Sequence, residues 1–226
     1  MLNPGFVTPK ALSHWRDAPV FLPQFQFHEK HRTVIHTAHP ETILPLIAHF
    51  DVRQDPVIRR LMSLRQIPQK LLRNTESNAI GNFGLHSFTL LKSSPSELCY
   101  GLRGQFWRTD FGLENVPDAN TFQTPAAPGS AKLLLRYQVT ELAPGQHELS
   151  TETFVYCPDR STRLRMTAYW LVIRVGSGWI RKRTLEAVKA NIESQECGSP
   201  VKCSAWDPRG NIFPPVNGLN NGDFNE

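Results

Sequence analysis

Glu152, Tyr137 and Arg181 are the residues of this chain whose chemistry asks most for an explanation. A hairpin centred on Pro144-Gly145 pairs Tyr137 with Glu152, Leu135 with Phe154 and Val139 with Ser150, all on one strand face. That face is apolar except for a carboxylate set between a phenol and a hydroxyl. A carboxylate on such a surface needs a partner or a raised pKa. In that register Glu152 and Tyr137 are candidates for an acid/base pair. A slip of one residue turns Glu152 to the opposite face, toward water.

Arg181 lies in "YWLVIRVGSGWIRKRTLEAVKANIE", which reads as a strand passing through a Gly-Ser-Gly joint into a basic terminal helix with Ser177 as a candidate N-cap. Stepping about 100° per residue from Ile180 gathers Thr184, Ala187, Val188, Asn191 and Ile192 on one arc, with Arg181 inside it. A charge that cannot be shed therefore points toward the sheet. Three roles suit it: an ion pair with Glu152 that pins the helix to the sheet, a contact with the carboxylate or phosphate head of an amphipathic ligand, or a side chain that snorkels to solvent.

Tyr100, Phe106, Trp107, Phe122, Tyr137, Phe154 and Trp170 are the aromatic set. Core packing explains any one of them, and together they suit an apolar pocket. Their strand parities do not place them all on one face. His28, His31, His36 and His39 have no metal-ligand spacing and read as a polar edge strand, although His31 and Glu29 share a face and suit a proton pair. "VGSGW" lacks a phosphate-loop pattern, and no Ser-His-Asp or Cys-His arrangement is legible. Cys99, Cys157, Cys197 and Cys203 have no CxxC spacing, which argues against a zinc site and for reduced thiols in a cytoplasmic protein.

The elements that position these residues follow from pattern. "FQFHEKHRTVIHT" alternates as a first strand with Phe25, Phe27, Thr33 and Ile35 on one parity. Pro40 opens a short helix weakened by Pro45, and Asp55-Pro56 starts a second over 56–66. "LHSFTLLK", "ELCYGLRGQFWR", a short stretch at Thr121–Thr124, "KLLLRYQVTEL", "HELSTETFVYC" and "TRLRMTAYWLVIRV" then read as successive strands. Strands in sequence with short turns make an antiparallel sheet, and the terminal helix is what can cover its apolar face.

The 226 residues suit one domain: an arm over 1–24, a folded region over 25–195 and a Pro-, Gly- and Asn-rich tail over 196–226. Hydrophobic residues at 40% and charged residues at 20% are ordinary for a soluble globular chain. The net charge of +5 and pI near 9.2 collect in Arg160, Arg163, Arg165, Arg174, Arg181, Lys182 and Arg183, a weak signal for nucleic acid. No uninterrupted apolar segment reaches the roughly 18 residues that span a bilayer.

"LRGQFWR", "PGSAK", "LSTETFV" and the terminal "YWLVIRVGSGWIRKRTLEAVKANIE" resemble motifs of a mostly uncharacterised bacterial group in the START-like (SRPBCC, helix-grip) superfamily, over about residues 25–195. The resemblance implies an α+β fold in which a curved antiparallel sheet wraps a long C-terminal helix, with two short helices after the first strand. It implies binding of a lipid, sterol or polyketide-like molecule in a cavity between sheet and helix, or cyclase chemistry. On this reading Tyr100, Phe106, Trp107, Phe122, Leu135, Tyr137, Glu152, Phe154, Trp170 and Arg181 are the candidate ligand-binding residues. The partner is a hydrophobic small molecule, with no cofactor, no metal and no nucleic acid expected, and the chain is a monomer or homodimer. A polyketide cyclase or dehydratase using Glu152 and Tyr137 is one alternative, and an interaction module with a filled core and a basic face is another.

Overall fold

The chain is α+β: among the described residues a curved antiparallel sheet of five strands, in the order β1-β5-β4-β3-β2, is followed by a long helix. The computed structural model describes residues 5–49, 87–108 and 110–196. Its elements are α1 (Pro9–Ser13), β1 (Phe27–His36), a 3-10 turn (Pro40–Thr42), α2 (Ile43–His49), β2 (Thr89–Ser93), β3 (Glu97–Gly104), α3 (Ala119–Gln123), β4 (Ala131–Ala143), β5 (Gln146–Tyr156) and α4 (Arg160–Glu196). The second short helix expected over 56–66 and the tail from 197 lie outside the described residues. The expected strand at Thr121–Thr124 is instead α3, because the Asp118 carboxylate accepts the Thr121 N–H at 2.7 Å and caps a helix there.

The segment "TRLRMTAYWLVIRV" is not a strand but the first half of α4, a helix of 37 residues. Its β-branched and aromatic content imitates a strand, yet Met166 and Trp170 are buried at helical spacing, and packing decides over propensity. The cap is Asp159, not Ser177: its carboxylate accepts from the Thr162 N–H at 2.8 Å and from the Thr162 hydroxyl at 2.7 Å. The Gly-Ser-Gly joint therefore lies inside a continuous helix.

Both faces of the sheet are covered. The sheet residues Phe27, Ile35, Leu98, Tyr100, Leu102, Leu135, Tyr137, Leu149 and Val155 face α4, and the Ile43, Leu44 and Ile47 side chains of α2 close one end of that core. The other face carries Cys99, Leu134 and Phe154, sealed by Val7, Leu22 and Phe25 of the N-terminal stretch and by Phe122 of α3. Phe25 packs on this second face although it shares sequence parity with Phe27, since the chain bends in just before β1. The N-terminal stretch is tied in by Val7 N–H to Gln26 O at 2.8 Å and His28 N–H to Gly5 O at 2.8 Å.

The hairpin between β4 and β5 turns at Gly145, whose φ of 74° favours glycine. Next to the turn Ala143 pairs with Gln146, as a hairpin centred on Pro144-Gly145 requires. One extra residue, Leu142, then bulges out and shifts every pair beyond it, so Tyr137 faces Thr151, Arg136 faces Glu152 and Leu135 faces Thr153. The expected pairing of Tyr137 with Glu152 is thereby overturned, and the two residues stand on opposite faces of the sheet.

Candidate functional site

The α4 side chains that meet the sheet follow the sequence Met166, Trp170, Arg174, Gly178, Arg181, Leu185, Val188 and Ile192, steps of three or four residues that keep one helix face turned inward. The two ends of this line are apolar and its middle is polar. Trp170 packs against Phe27 with ring centroids 5.5 Å apart, while Leu185, Val188 and Ile192 join the core around Ile35 and Leu149. Arg181 falls in the middle, above a polar stretch of the sheet face.

That stretch is a patch of two rows across three strands. Glu29, Thr153 and Leu135 form one row, and His31, Thr151 and Tyr137 form the next. The Arg181 Nη1 donates to Glu29 Oε2 at 3.0 Å, and Arg174 Nε lies 3.7 Å from Glu29 Oε1. His31 Nε2 stands 3.1 Å from Glu29 Oε1, the proton pair expected from their shared face, but the ring is not aligned for a hydrogen bond. Gly178 lets the helix backbone close over this pair, since a Cβ there would stand 2.8 Å from Glu29 Oε1 and 3.3 Å from the His31 ring.

Electrostatics set the state of each group. Burial favours the neutral form of Glu29, but His31, Arg181 and Arg174 outweigh it and hold the carboxyl below its usual value. Burial raises the Tyr137 phenol, offset in part by the Arg181 charge and the nearby Thr151 hydroxyl, so Tyr137 stays protonated. Burial likewise pushes the Arg181 guanidinium down, opposed by Glu29 and Tyr137. Two guanidinium groups thus share one carboxylate.

Thr151 and Thr153 are 1% and 0% exposed, and neither hydroxyl makes a hydrogen bond among the described residues. Tyr137 is near Thr151 without the geometry of a formed bond. Buried hydroxyls without partners are costly, roughly 1–3 kcal/mol each, and ask for something to bind.

The opposite face holds a different cluster, and it is saturated. Arg136 Nε donates to Glu152 Oε2 at 3.0 Å and Arg136 Nη2 to Asp17 Oδ2 at 2.7 Å. His28 Nε2 lies 3.2 Å from Glu152 Oε1, and Lys30 lies 3.8 Å from the same oxygen. The His28 ring packs edge-on to Trp15 at 4.7 Å, and the Arg136 guanidinium sits over Phe154 at 5.3 Å. Burial works against ionisation of Glu152, but hydrogen bonds from His28 and Arg136 and the charges of Arg136 and Lys30 bring its pKa to about 2. This is a stabilised carboxylate in a locked network, not a proton donor.

The predicted site residues divide accordingly. Tyr100, Leu135, Tyr137, Phe106 and Trp170 join the face toward α4, with Trp107 at its margin and Arg181 above it. Phe122, Glu152 and Phe154 belong to the other face. The expected Arg181 pair with Glu152 is replaced by Arg181 with Glu29, and the candidate acid/base pair of Glu152 and Tyr137 is separated by the sheet. Thr151, Thr153 and Arg174 were not singled out as site residues; the three-four spacing from 174 to 192 is the signal that finds Arg174 once the helix is read as continuous.

His36 and His39 pair with Glu193 and Glu41 at 3.4 and 3.2 Å, and no group of side chains that could hold a metal ion occurs among the described residues. The Cys99 and Cys157 thiols are buried and pushed up to about 12 by burial, so neither is a nucleophile. No helix among the described residues is long and apolar enough to cross a membrane. A half-open hollow of about 310 Å³ lies where Ile192 and Gln195 meet Thr37, His39 and Thr42, away from every predicted site residue. Comparison with known protein families, with curated proteins and with solved structures finds no match.

Proposed function

We propose that the protein binds an amphipathic small molecule with an acidic head between α4 and the sheet, in the manner of the START-like proteins its motifs resemble. The observation that carries this reading is the pair of buried, unpartnered hydroxyls of Thr151 and Thr153, set beneath two arginines that have one carboxylate between them. A carboxylate or phosphate head accepts from both hydroxyls and meets a guanidinium whose planar fork suits it. The apolar body of the ligand lies along Tyr100, Leu102 and Leu135 toward Leu133 and Phe88, which stay half-buried at the margin of both apolar clusters facing the helix. Of the strands, β1 lies closest to the α4 backbone.

Titration of the purified protein with a fluorescent fatty acid tests the reading, with competition by an unlabelled acid and by the alcohol of the same chain length. Saturable uptake in which the acid displaces the probe at lower concentration than the alcohol supports it. Absence of uptake, or equal competition by the two, speaks against an acidic head at Arg181.

A further inference from the structure

The side of α4 turned away from the sheet is apolar where solvent would favour charge. Leu164 is 73% exposed, Leu171 54%, Val172 80% and Trp179 41%, and their spacing along the helix keeps them on one outward stripe of about four turns. Arg160, Arg163 and Arg165 are exposed around the first turns of the stripe, and Lys182 is exposed at its far end. Arg183 sits over the Trp179 ring at 5.4 Å. The helix carries no acidic residue from Arg160 to Leu185, and Asp159 just before it is engaged as the cap.

We infer that this stripe docks on an anionic lipid surface. Exposed leucine and valine with a tryptophan among arginines is the arrangement of a helix lying in a membrane interface, where apolar side chains enter the acyl boundary and cations meet the head groups. Charge excludes the main competitor. A second copy meeting this face by two-fold symmetry sets arginines against arginines with no carboxylate on the helix run to receive them. A nucleic acid accepts the cations but gains nothing from Leu164, Leu171 and Val172 at the centre. The inference stands apart from the ligand reading, because it uses the outer side of α4 and no residue of the sheet.

Co-sedimentation of the full chain with vesicles tests it, comparing phosphatidylcholine alone with phosphatidylcholine mixed with phosphatidylserine. Binding to the mixed vesicles, weakened by salt and weak on the neutral ones, is expected. The double substitution Leu171→Asp and Val172→Asp is expected to reduce that binding about tenfold or more, and Arg165→Ala roughly fivefold. Leu164→Asp carries the same test if the double variant melts at lower temperature than the parent. Failure to bind the mixed vesicles, or binding that the aspartates leave unchanged, overturns the inference. So does a dimer that the same aspartates dissociate, which assigns the stripe to a second copy.

Discussion

Arg181 and Glu29 form the ion pair that ties α4 to the sheet, with the guanidinium donating at 3.0 Å to a carboxylate on the edge strand β1. Both side chains are largely out of water, at 17% and 8% exposure, and Arg174 and His31 complete the group. Such a pair fixes which way the helix faces more than it adds net stability. Replacing Glu29 takes from Arg181 and Arg174 the carboxylate they share, and replacing Arg181 leaves Glu29 to Arg174 and His31. Arg181→Met and Glu29→Gln are each expected to cost about 1–3 kcal/mol, and the double variant less than their sum. A double-mutant cycle from urea unfolding curves checks this; strict additivity would mean the two groups do not sense each other.

The two glycines of the helix make opposite predictions. A Cβ at Gly176 meets nothing within 4 Å, so Gly176→Ala is expected to stabilise by about 0.5–1 kcal/mol through helix propensity. At Gly178 the same Cβ stands 2.8 Å from the Glu29 carboxylate, so Gly178→Ala is expected to lose that gain and to destabilise. Melting temperatures of the two variants side by side decide it, and equal behaviour would mean the helix does not lie closely on Glu29 at this point.

Acid is expected to unfold the protein through its buried carboxylates. Glu152 has a folded-state pKa of about 2 against an ordinary 4.5, and Glu29 is shifted the same way. A depressed folded pKa contributes stability that is complete above the ordinary value and is lost as pH falls toward the folded one. Urea midpoints should therefore fall steadily below about pH 4.5, and Glu152→Gln should make that decline shallower while lowering stability at neutral pH. A decline of the same steepness in the variant would mean that Glu152 does not contribute to acid unfolding.

Thr153→Val separates binding from folding. Valine keeps the shape and removes a buried hydroxyl that has no partner among the described residues, so the unliganded variant is expected to be more stable by about 1 kcal/mol. It should also bind the fluorescent acid several-fold more weakly. A variant that is less stable and binds equally well would show that the hydroxyl is satisfied within the fold.

The α+β class, the antiparallel order of strands and a covering terminal helix are all readable from alternation and turn residues. What escaped was decided by single residues. The bulge at Leu142 leaves no mark in the alternation of "KLLLRYQVTEL", yet it moves Glu152 from the helix side of the sheet to the side sealed by Phe25. The first half of α4 hid because it is apolar inside at Met166 and Trp170 and outside at Leu171 and Val172, so neither a helical nor a strand period stands out. Arg181 was legible as a charge directed at the sheet, but its partner depends on the register of β1 against β5, which no local signal fixes. Thr151 and Thr153 were unremarkable because threonine is common in strands, and only their burial beside Arg181 gives them meaning.

Native mass spectrometry of the purified protein, followed by extraction and identification of what dissociates on denaturation, decides whether a small amphipathic acid occupies the space between α4 and the sheet. A stoichiometric adduct is expected whose released component carries an acidic head on an apolar body, and the adduct is expected to diminish in Thr153→Val and in Arg181→Met. A protein that flies without an adduct and stays empty after incubation with fatty acids would contradict it, and would make Thr151, Thr153 and Arg181 parts of a packed core.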